Sequence, residues 1–268
     1  MCFLMKGKIK EFKNGYDQHG TYYESNINSK DIPTIFIHGV GLNIQMWSKQ
    51  RKAFNDKVIF YDLINHGKTS KNLQTIKYAD FNLQLKNLIN YFNLKKINIV
   101  GFSIGSIIAL NYSTKFNYLI NKLVLISSVY NRSKSEQKSV ISRYSLAING
   151  KDISELAIKR WFTEEYIKKN PRVCKNFLKI LNQNKIEKFL PAYKLFANTK
   201  KNLFDFDQFK TPTLIITGEK DMNSTPAMSL NLSKKIKNSK LLIVPKGKHM
   251  AYFENSESIN SQIKKFLQ

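Results

Sequence analysis

A serine between two glycines lies at the junction of a predicted strand and a predicted helix. The motif GFSIG at residues 101–105 directly follows the apolar residues 97–100 and precedes a helical pattern that starts near residue 106. A serine in such a turn projects its hydroxyl, and glycines on either side relieve steric crowding. The positive end of the following helix favours the negative charge that develops during acyl transfer. The motif therefore predicts that Ser103 is a nucleophile.

A nucleophilic serine needs a base, and the chain has four histidines, His19, His38, His66 and His249. In enzymes with this strand-to-helix turn, the acid and the histidine follow the serine in the chain, and only His249 does so. It lies in the loop after residues 241–244, which form the last predicted strand. Ligand crevices of α/β proteins lie at this end of the strands, so His249 is the predicted base.

Two carboxylates could orient that histidine, because Glu219 and Asp221 both follow the predicted strand 213–217. Asp221 is preferred since it lies further past the strand end, where a loop can carry it towards the histidine. Two earlier aspartates precede the strand and would lie at its opposite end. The loop after the predicted strand 122–127 contains no carboxylate.

Two backbone N–H groups must stabilise the oxyanion of an acyl transfer. One should belong to Ile104, which follows the serine. The other should come from the sequence HGVG at residues 38–41, after the predicted strand 34–38. Val40 is predicted there because the glycines on both sides let the backbone turn inward. His38 precedes the serine and is predicted to hydrogen-bond this loop.

Alternating strands and helices must position these groups. An antiparallel hairpin is predicted from residues 8–12 and 21–24, with turn-like pairs at 14–15 and 19–20. The apolar runs predict parallel strands buried on both faces at residues 34–38, 58–63, 97–101, 122–127, 213–217 and 241–244. Helical spacing predicts helices at residues 81–92, 106–116, 227–236 and 258–267. The alternation predicts an α/β fold with a parallel sheet.

The alternation is interrupted at residues 133–202, which contain no run typical of a buried strand. Helices are predicted there at residues 139–148, 153–161, 164–169, 173–182 and 186–196. The strands resume at residue 213, so this segment is predicted to be a helical insertion and not an independent domain. Residues 1–132 and 203–268 then form the α/β core.

Five motifs in this order resemble the α/β-hydrolase fold family. They are HGVG at 38–41, YDLINHGKTS at 61–70, GFSIG at 101–105, TGEKD at 217–221 and GKH at 247–249. The resemblance implies a mostly parallel eight-stranded sheet flanked by helices, with residues 133–202 as a helical cap. One departure is Asn65, where many relatives have glycine, and it is expected to alter a loop without touching the triad.

The sequence GLNIQMW at 41–47 resembles the carboxylesterase branch that includes pimeloyl-carrier-protein methyl ester esterases, and 3-oxoadipate enol-lactonases share the layout. The resemblance implies hydrolysis of a carboxylic ester or lactone by Ser103, His249 and Asp221, with no metal and no organic cofactor. A serine at the nucleophile position argues against haloalkane dehalogenases and epoxide hydrolases, which resemble this fold but use aspartate. A C–C bond hydrolase, an acyltransferase or a weakly catalytic ligand receptor could carry the same three residues.

The formal net charge of +25 comes from 44 Lys+Arg against 19 Asp+Glu. Only five of the basic residues are arginine, and the lysines are scattered without a run of five. Base readout and bidentate phosphate contacts favour arginine, so nucleic acid is not the expected partner. The charge fits either a solvated lysine surface or a field that attracts an anionic substrate or an acidic carrier protein.

Within the inserted segment, most apolar side chains are expected to pack and fewer to contact a ligand. Its basic residues Lys159, Arg160, Arg172 and Lys175 could meet an anionic substrate, although a solvated helix face is the expected role. The two cysteines, Cys2 and Cys174, form no CxxC motif and fit a reducing cytoplasm. No window is apolar enough for a membrane span.

Overall fold

A computed structural model of the chain describes residues 11–27, 32–54 and 56–268. These residues contain one sheet of eight strands in the order β1-β2-β4-β3-β5-β6-β7-β8. The strands are β1 Lys13–Tyr16, β2 Tyr22–Ser25, β3 Thr34–Ile37, β4 Val58–Tyr61, β5 Ile97–Phe102, β6 Ile120–Ile126, β7 Thr213–Gly218 and β8 Ser239–Val244. β2 pairs antiparallel with β1 and with β4, and all other neighbouring strands pair parallel. This arrangement confirms the predicted fold class.

Helices cover both faces of this sheet. They are α1 Ser48–Ala53, α2 Tyr78–Tyr91, α3 Ile104–Lys115, α4 Lys134–Ile148, α5 Ser154–Trp161, α6 Glu164–Lys169, α7 Pro171–Gln183, α8 Ile186–Ala197, α9 Pro226–Lys235, α10 Ala251–Glu254 and α11 Ser256–Leu267. Short 3₁₀ helices lie at Ile44–Trp47, Asn117–Leu119 and Lys201–Leu203. None of the helices in the described ranges is long and apolar enough to cross a membrane.

The central strands alternate their side chains between two hydrophobic cores. In β3, Ile35 and Ile37 join one core while Phe36 joins the other, and in β5 Ile99 and Phe102 divide in the same way. This two-residue period is the geometric consequence of the pleat. Because β3 to β8 run parallel, their carboxyl ends lie at one edge of the sheet. The candidate residues lie beyond that edge.

The opening hairpin differs in register from its prediction. Residues 8–10 of the predicted first strand lie outside the described residues, and β1 begins at Lys13, so Asn14 and Gly15 are in a strand. The turn is made by Asp17, whose Oδ1 accepts the N–H groups of His19 and Thr21 at 2.9 and 2.8 Å. An aspartate that bonds to the following backbone stabilises a turn, which is why the reversal occurs there.

The last strand, β8, differs from the prediction of burial on both faces. Leu241 and Leu242 are only half-buried and Ile243 is 40% exposed, whereas Val244 is buried. That prediction is wrong because β8 lies at the edge of the sheet and has only β7 as a neighbouring strand.

Five helices, α4 to α8, lie between β6 and β7. The first is capped by Ser133, whose Oγ accepts the Glu136 N–H while the Glu136 carboxylate accepts the Ser133 N–H. This reciprocal pair defines a sharp helix start directly after the loop that follows β6. Pro171 is the first residue of α7, where its missing N–H costs nothing, whereas Pro191 lies inside α8.

Candidate active site

Ser103 lies in a strained turn between β5 and α3. Its backbone has φ 54° and ψ −118°, a conformation that a non-glycine residue rarely adopts. The neighbouring glycines are required by close approach: a Cβ on Gly105 would lie 2.3 Å from the carbonyl oxygen of Ile37. A Cβ on Gly101 would lie 2.4 Å from the Gly105 carbonyl oxygen. Both glycines therefore let the strand and helix pack closely enough to hold the serine in this turn.

The Ser103 hydroxyl faces a cavity of about 350 Å³. The residue is 4% exposed, and its hydroxyl has no hydrogen-bond partner within the described part of the chain. The Ser103 carbonyl is occupied, because it accepts the Ser106 N–H at 3.0 Å and the Ser106 hydroxyl at 2.6 Å. The hydroxyl is thus free to meet a ligand in the cavity.

His249 and Asp221 form a buried pair at the ends of β8 and β7. His249 Nδ1 lies 2.7 Å from Asp221 Oδ2 and donates its proton to the carboxylate. The other oxygen, Oδ1, accepts the N–H groups of Asn223 and Ser224 at 2.8 and 3.0 Å. Three donors therefore hold the carboxylate, and through it the plane of the imidazole.

His249 lines the same cavity as Ser103. Its ring packs on Phe102, with centroids 4.9 Å apart, and its backbone carbonyl accepts the Ser127 hydroxyl at 3.1 Å. Because Nδ1 is bound to the carboxylate, Nε2 is the nitrogen left to act on a serine or a substrate. No hydrogen bond joins His249 to Ser103 here, and such contacts are often long in ligand-free sites.

The alternative acid, Glu219, does not approach the histidine. Its Oε2 accepts the Lys246 N–H at 2.7 Å at the exposed start of the loop after β8. Of the two carboxylates that the sequence offered, the structure brings only Asp221, the preferred one, to His249.

The loop after β3 makes a tight turn over the cavity. The Leu42 N–H donates to the Gly39 carbonyl at 3.2 Å, and Gly41 has φ 74°, a left-handed value that suits glycine. The Gly41 N–H is already used, since it donates to His66 Nε2 at 3.0 Å. The N–H groups of Val40 and Ile104 have no acceptor among the described residues. Both are available to an oxyanion in the cavity.

Two buried histidines hold this loop from behind. His38 Nδ1 donates to the Gly39 carbonyl at 2.8 Å and its Nε2 accepts the Leu63 N–H at 2.9 Å, as the predicted structural role requires. Burial, together with the neighbouring His66, lowers the pKa of His38 well below its usual value. Burial lowers the pKa of His66 to about 4. Both rings are therefore neutral near pH 7 and can accept the N–H groups described.

Sequence reasoning missed Asn184, which fastens the inserted helices to the loop. Its side chain donates to the carbonyls of Gly41 and Leu42, both at 2.9 Å, and accepts the Gly67 N–H at 2.9 Å. Asn65, the departure from the family pattern, has φ 65° and donates to the Lys188 carbonyl at 2.8 Å. Asn184 lies outside every motif and carries no signal in a single sequence, and the motif that contains Asn65 does not show which distant carbonyl its side chain meets.

We expect Asn184→Ala to lower the free energy of unfolding by about 2 kcal/mol or more, because it leaves buried groups without partners. The turnover number for an ester should fall about tenfold, since small displacements of an oxyanion donor are costly. Urea denaturation and steady-state kinetics measure both effects. The matched control is Asn176→Ala, an exposed position in α7, the helix that ends directly before Asn184. Equal stability of the two variants would contradict the positioning role of Asn184.

Helices α4, α5, α7 and α8 supply the other walls of the cavity. Leu181, Phe189, Tyr193 and Phe196 line it, so several of the apolar residues expected to pack also face the ligand space. Arg160 lines it as well, and the expectation of a solvated helix face is wrong for that residue. No cluster of His, Cys, Asp and Glu suited to a metal ion occurs in the described ranges.

The chain matches a family model described as the alpha/beta hydrolase fold over residues 33–256. An (E)-2-((N-methylformamido)methylene)succinate hydrolase of Acinetobacter baylyi is 25% identical over 98% of this chain and 99% of that protein. The pimeloyl-[acyl-carrier protein] methyl ester esterase of Wigglesworthia glossinidia brevipalpis is 25% identical over 90% of this chain and 95% of that protein.

Among solved structures, an enol-lactonase from Burkholderia xenovorans superposes with a TM-score of 0.83 at 17% identity. The match covers 95% of this chain and 99% of that one, and at this identity it supports the fold alone. Together these matches confirm the resemblance that the five sequence motifs indicated.

Proposed function

The chain belongs to the alpha/beta hydrolase fold family, and from that premise we propose that it is a serine hydrolase acting on a carboxylic ester or lactone. One observation carries the proposal. A serine in a strained turn, whose hydroxyl has no partner among the described residues, shares a cavity with a histidine that a buried aspartate orients at 2.7 Å. This is the arrangement that nucleophilic acyl transfer needs.

In the first half-reaction, His249 Nε2 takes the proton of the Ser103 hydroxyl as Oγ bonds to the substrate carbonyl carbon. Asp221 holds the imidazole with Nδ1 protonated and stabilises the imidazolium that forms. The carbon–oxygen bond to the alcohol then breaks, and the leaving oxygen takes the proton from Nε2. The product of this step is an acyl-enzyme on Ser103.

The N–H groups of Val40 and Ile104 stabilise the oxyanion of each tetrahedral intermediate. Their freedom from other acceptors supports this role, because donors fixed in advance need no rearrangement when the charge appears. The Gly41 N–H cannot share it while it is bound to His66. The proposed donors are therefore a backbone pair on the two loops that flank the serine.

In the second half-reaction, water replaces the alcohol. His249 Nε2 takes one proton of the water while the oxygen bonds to the acyl carbon, and the Ser103 oxygen leaves with the proton returned. The acid product departs and the serine is restored. These steps need no metal and no organic cofactor.

We assign residues 133–202 to a cap and residues 1–132 and 203–268 to the core. The cap helices supply much of the cavity wall, which supports a role in choosing the substrate. The names of the two relatives concern a small acid derivative and a carrier-linked methyl ester, and both kinds of substrate fit a basic protein. Cys174 is free and buried, in keeping with a reducing compartment such as the cytoplasm.

The test is labelling with a fluorophosphonate probe, which reacts only with an activated serine. We expect rapid labelling, with the modified peptide mapped to Ser103 by mass spectrometry. A panel of methyl esters, lactones and β-diketones then separates ester hydrolysis from C–C bond cleavage. Slow labelling together with tight ligand binding would contradict the proposal and support a receptor on this fold.

A further inference from the structure

Two arginines lie in the wall of the cavity that contains Ser103 and His249. Arg143 belongs to α4 and Arg160 to α5, and side chains from both helices reach the same space. Neither residue has a part in the hydrolytic steps described above. An arginine inside a largely apolar cavity must compensate the loss of hydration of its charge.

The side chain of Arg160 has no such compensation within the described chain. Its guanidinium forms no hydrogen bond and no ion pair with any described residue, and its Nε is fully buried without a partner. Arg143 makes a single side-chain bond, from Nη1 to the Ser139 hydroxyl at 2.6 Å. An unpaired buried donor is uncommon and costly, so the Nε of Arg160 would gain the acceptor it lacks when an anion binds in the cavity.

The charges of the two arginines reinforce one another. Burial and the nearby Arg143 lower the pKa of Arg160 to about 10, so Arg160 is still positively charged at neutral pH. Lys151 also lines the cavity. The one carboxylate in this lining, Asp152, is exposed, accepts the Ser154 N–H at 2.8 Å and forms no ion pair with a described residue. This end of the cavity therefore attracts an anion.

We propose that Arg160, assisted by Arg143, binds a free carboxylate of the substrate. A guanidinium presents parallel N–H groups that match the two oxygens of a carboxylate. This assignment rests on the proposed serine hydrolysis. The substrate is then a half-ester or lactone of a dicarboxylic acid. The carbon chain between the two acyl groups then contacts the apolar wall at Phe189 and Tyr193.

The test compares pairs of methyl esters that differ only in charge. Each pair consists of the monomethyl ester of a linear dicarboxylic acid, from succinic to suberic, and its uncharged monoamide analogue. We expect the native enzyme to prefer one or two of the charged esters. Arg160→Gln should lower the ratio of kcat/KM for the charged to the uncharged ester by about tenfold or more, since a hydrogen bond to a charged group is lost.

Arg172→Gln is the matched control, because it removes the same charge from an exposed position of α7 outside the cavity lining. It should keep the native ratio, whereas Arg160→Lys should recover part of it. If Arg172→Gln lowered the ratio as much as Arg160→Gln, the preference would come from the overall charge and the carboxylate site would be wrong. A stronger preference for phosphonate analogues would also overturn the carboxylate assignment.

Binding to the Ser103→Ala variant separates this inference from the proposed function. Calorimetry with the preferred dicarboxylate should detect saturable binding that disappears in Ser103→Ala/Arg160→Gln. Binding without any ester turnover by the native protein would refute the hydrolysis and leave the carboxylate site standing. Turnover of both members of every pair with equal efficiency, and no dicarboxylate binding, would refute the site and leave the hydrolysis standing.

Discussion

Ser103→Ala should lower kcat for p-nitrophenyl butyrate by on the order of 10⁴-fold or more, because the acyl-enzyme can no longer form. Fluorophosphonate labelling should disappear at the same time. Folding should be retained, since the Ser103 hydroxyl makes no hydrogen bond with a described residue and the glycines that form the turn are unchanged. Steady-state kinetics and thermal unfolding measure the two outcomes.

The matched control is Ser113→Ala in α3, the helix that begins directly after Ser103. Its hydroxyl is buried and donates to the Ala109 carbonyl at 2.7 Å, far from the cavity lining. This variant should keep the native kcat while losing some stability. If Ser103→Ala retained more than about a tenth of the native kcat, the loss would be too small for a nucleophile and the assignment would fail.

Asp221→Asn has the second largest expected effect, a fall in kcat of on the order of 10⁴-fold. An amide in this position can offer its N–H₂ group to Nδ1 and favour the tautomer with the proton on Nε2. Nε2 could then no longer take the proton of Ser103. The double variant with Ser103→Ala should be no slower than Ser103→Ala alone, because the two residues act as one unit.

Glu219→Gln serves as the control for that variant. Glu219 lies two residues away, but it accepts the Lys246 N–H on the exposed side of the loop. We expect it to change kcat less than about twofold, as surface substitutions usually have small effects. A large loss in Glu219→Gln with little loss in Asp221→Asn would reverse the choice between the two acids.

Much of the fold was predictable because it depends on local patterns. The parallel strands from β3 to β7 are short apolar runs, and the spacing of Phe81, Leu85 and Leu88 defines one face of α2. The elements that were missed or misread depend on neighbours. α1 and α10 are short helices without a clear period, and the exposure of β8 follows from its place at the sheet edge.

The same distinction between local patterns and distant neighbours applies to the candidate site. The proposed triad and oxyanion donors were chosen as residue types in a chain order, because a GFSIG turn constrains what must follow it. Asn184 and Arg160 were not assigned a role in the site. Their contacts join segments more than a hundred residues apart, or depend on which face of a helix meets the cavity. A helical pattern shows which residues share one face of a helix but not which part of the fold that face contacts.

By itself, the sequence determined the α/β alternation, the serine turn and the order of the acid and histidine behind it. Those features follow from steric rules that act over a few residues, such as the closeness that only Gly101 and Gly105 permit. Tertiary structure alone decided that Asn184 bonds to the carbonyls of Gly41 and Leu42. It also decided that Arg160 faces the cavity with no hydrogen-bond partner among the described residues. Both outcomes depend on the folded positions of loops and helices that are distant in sequence, which no local pattern specifies.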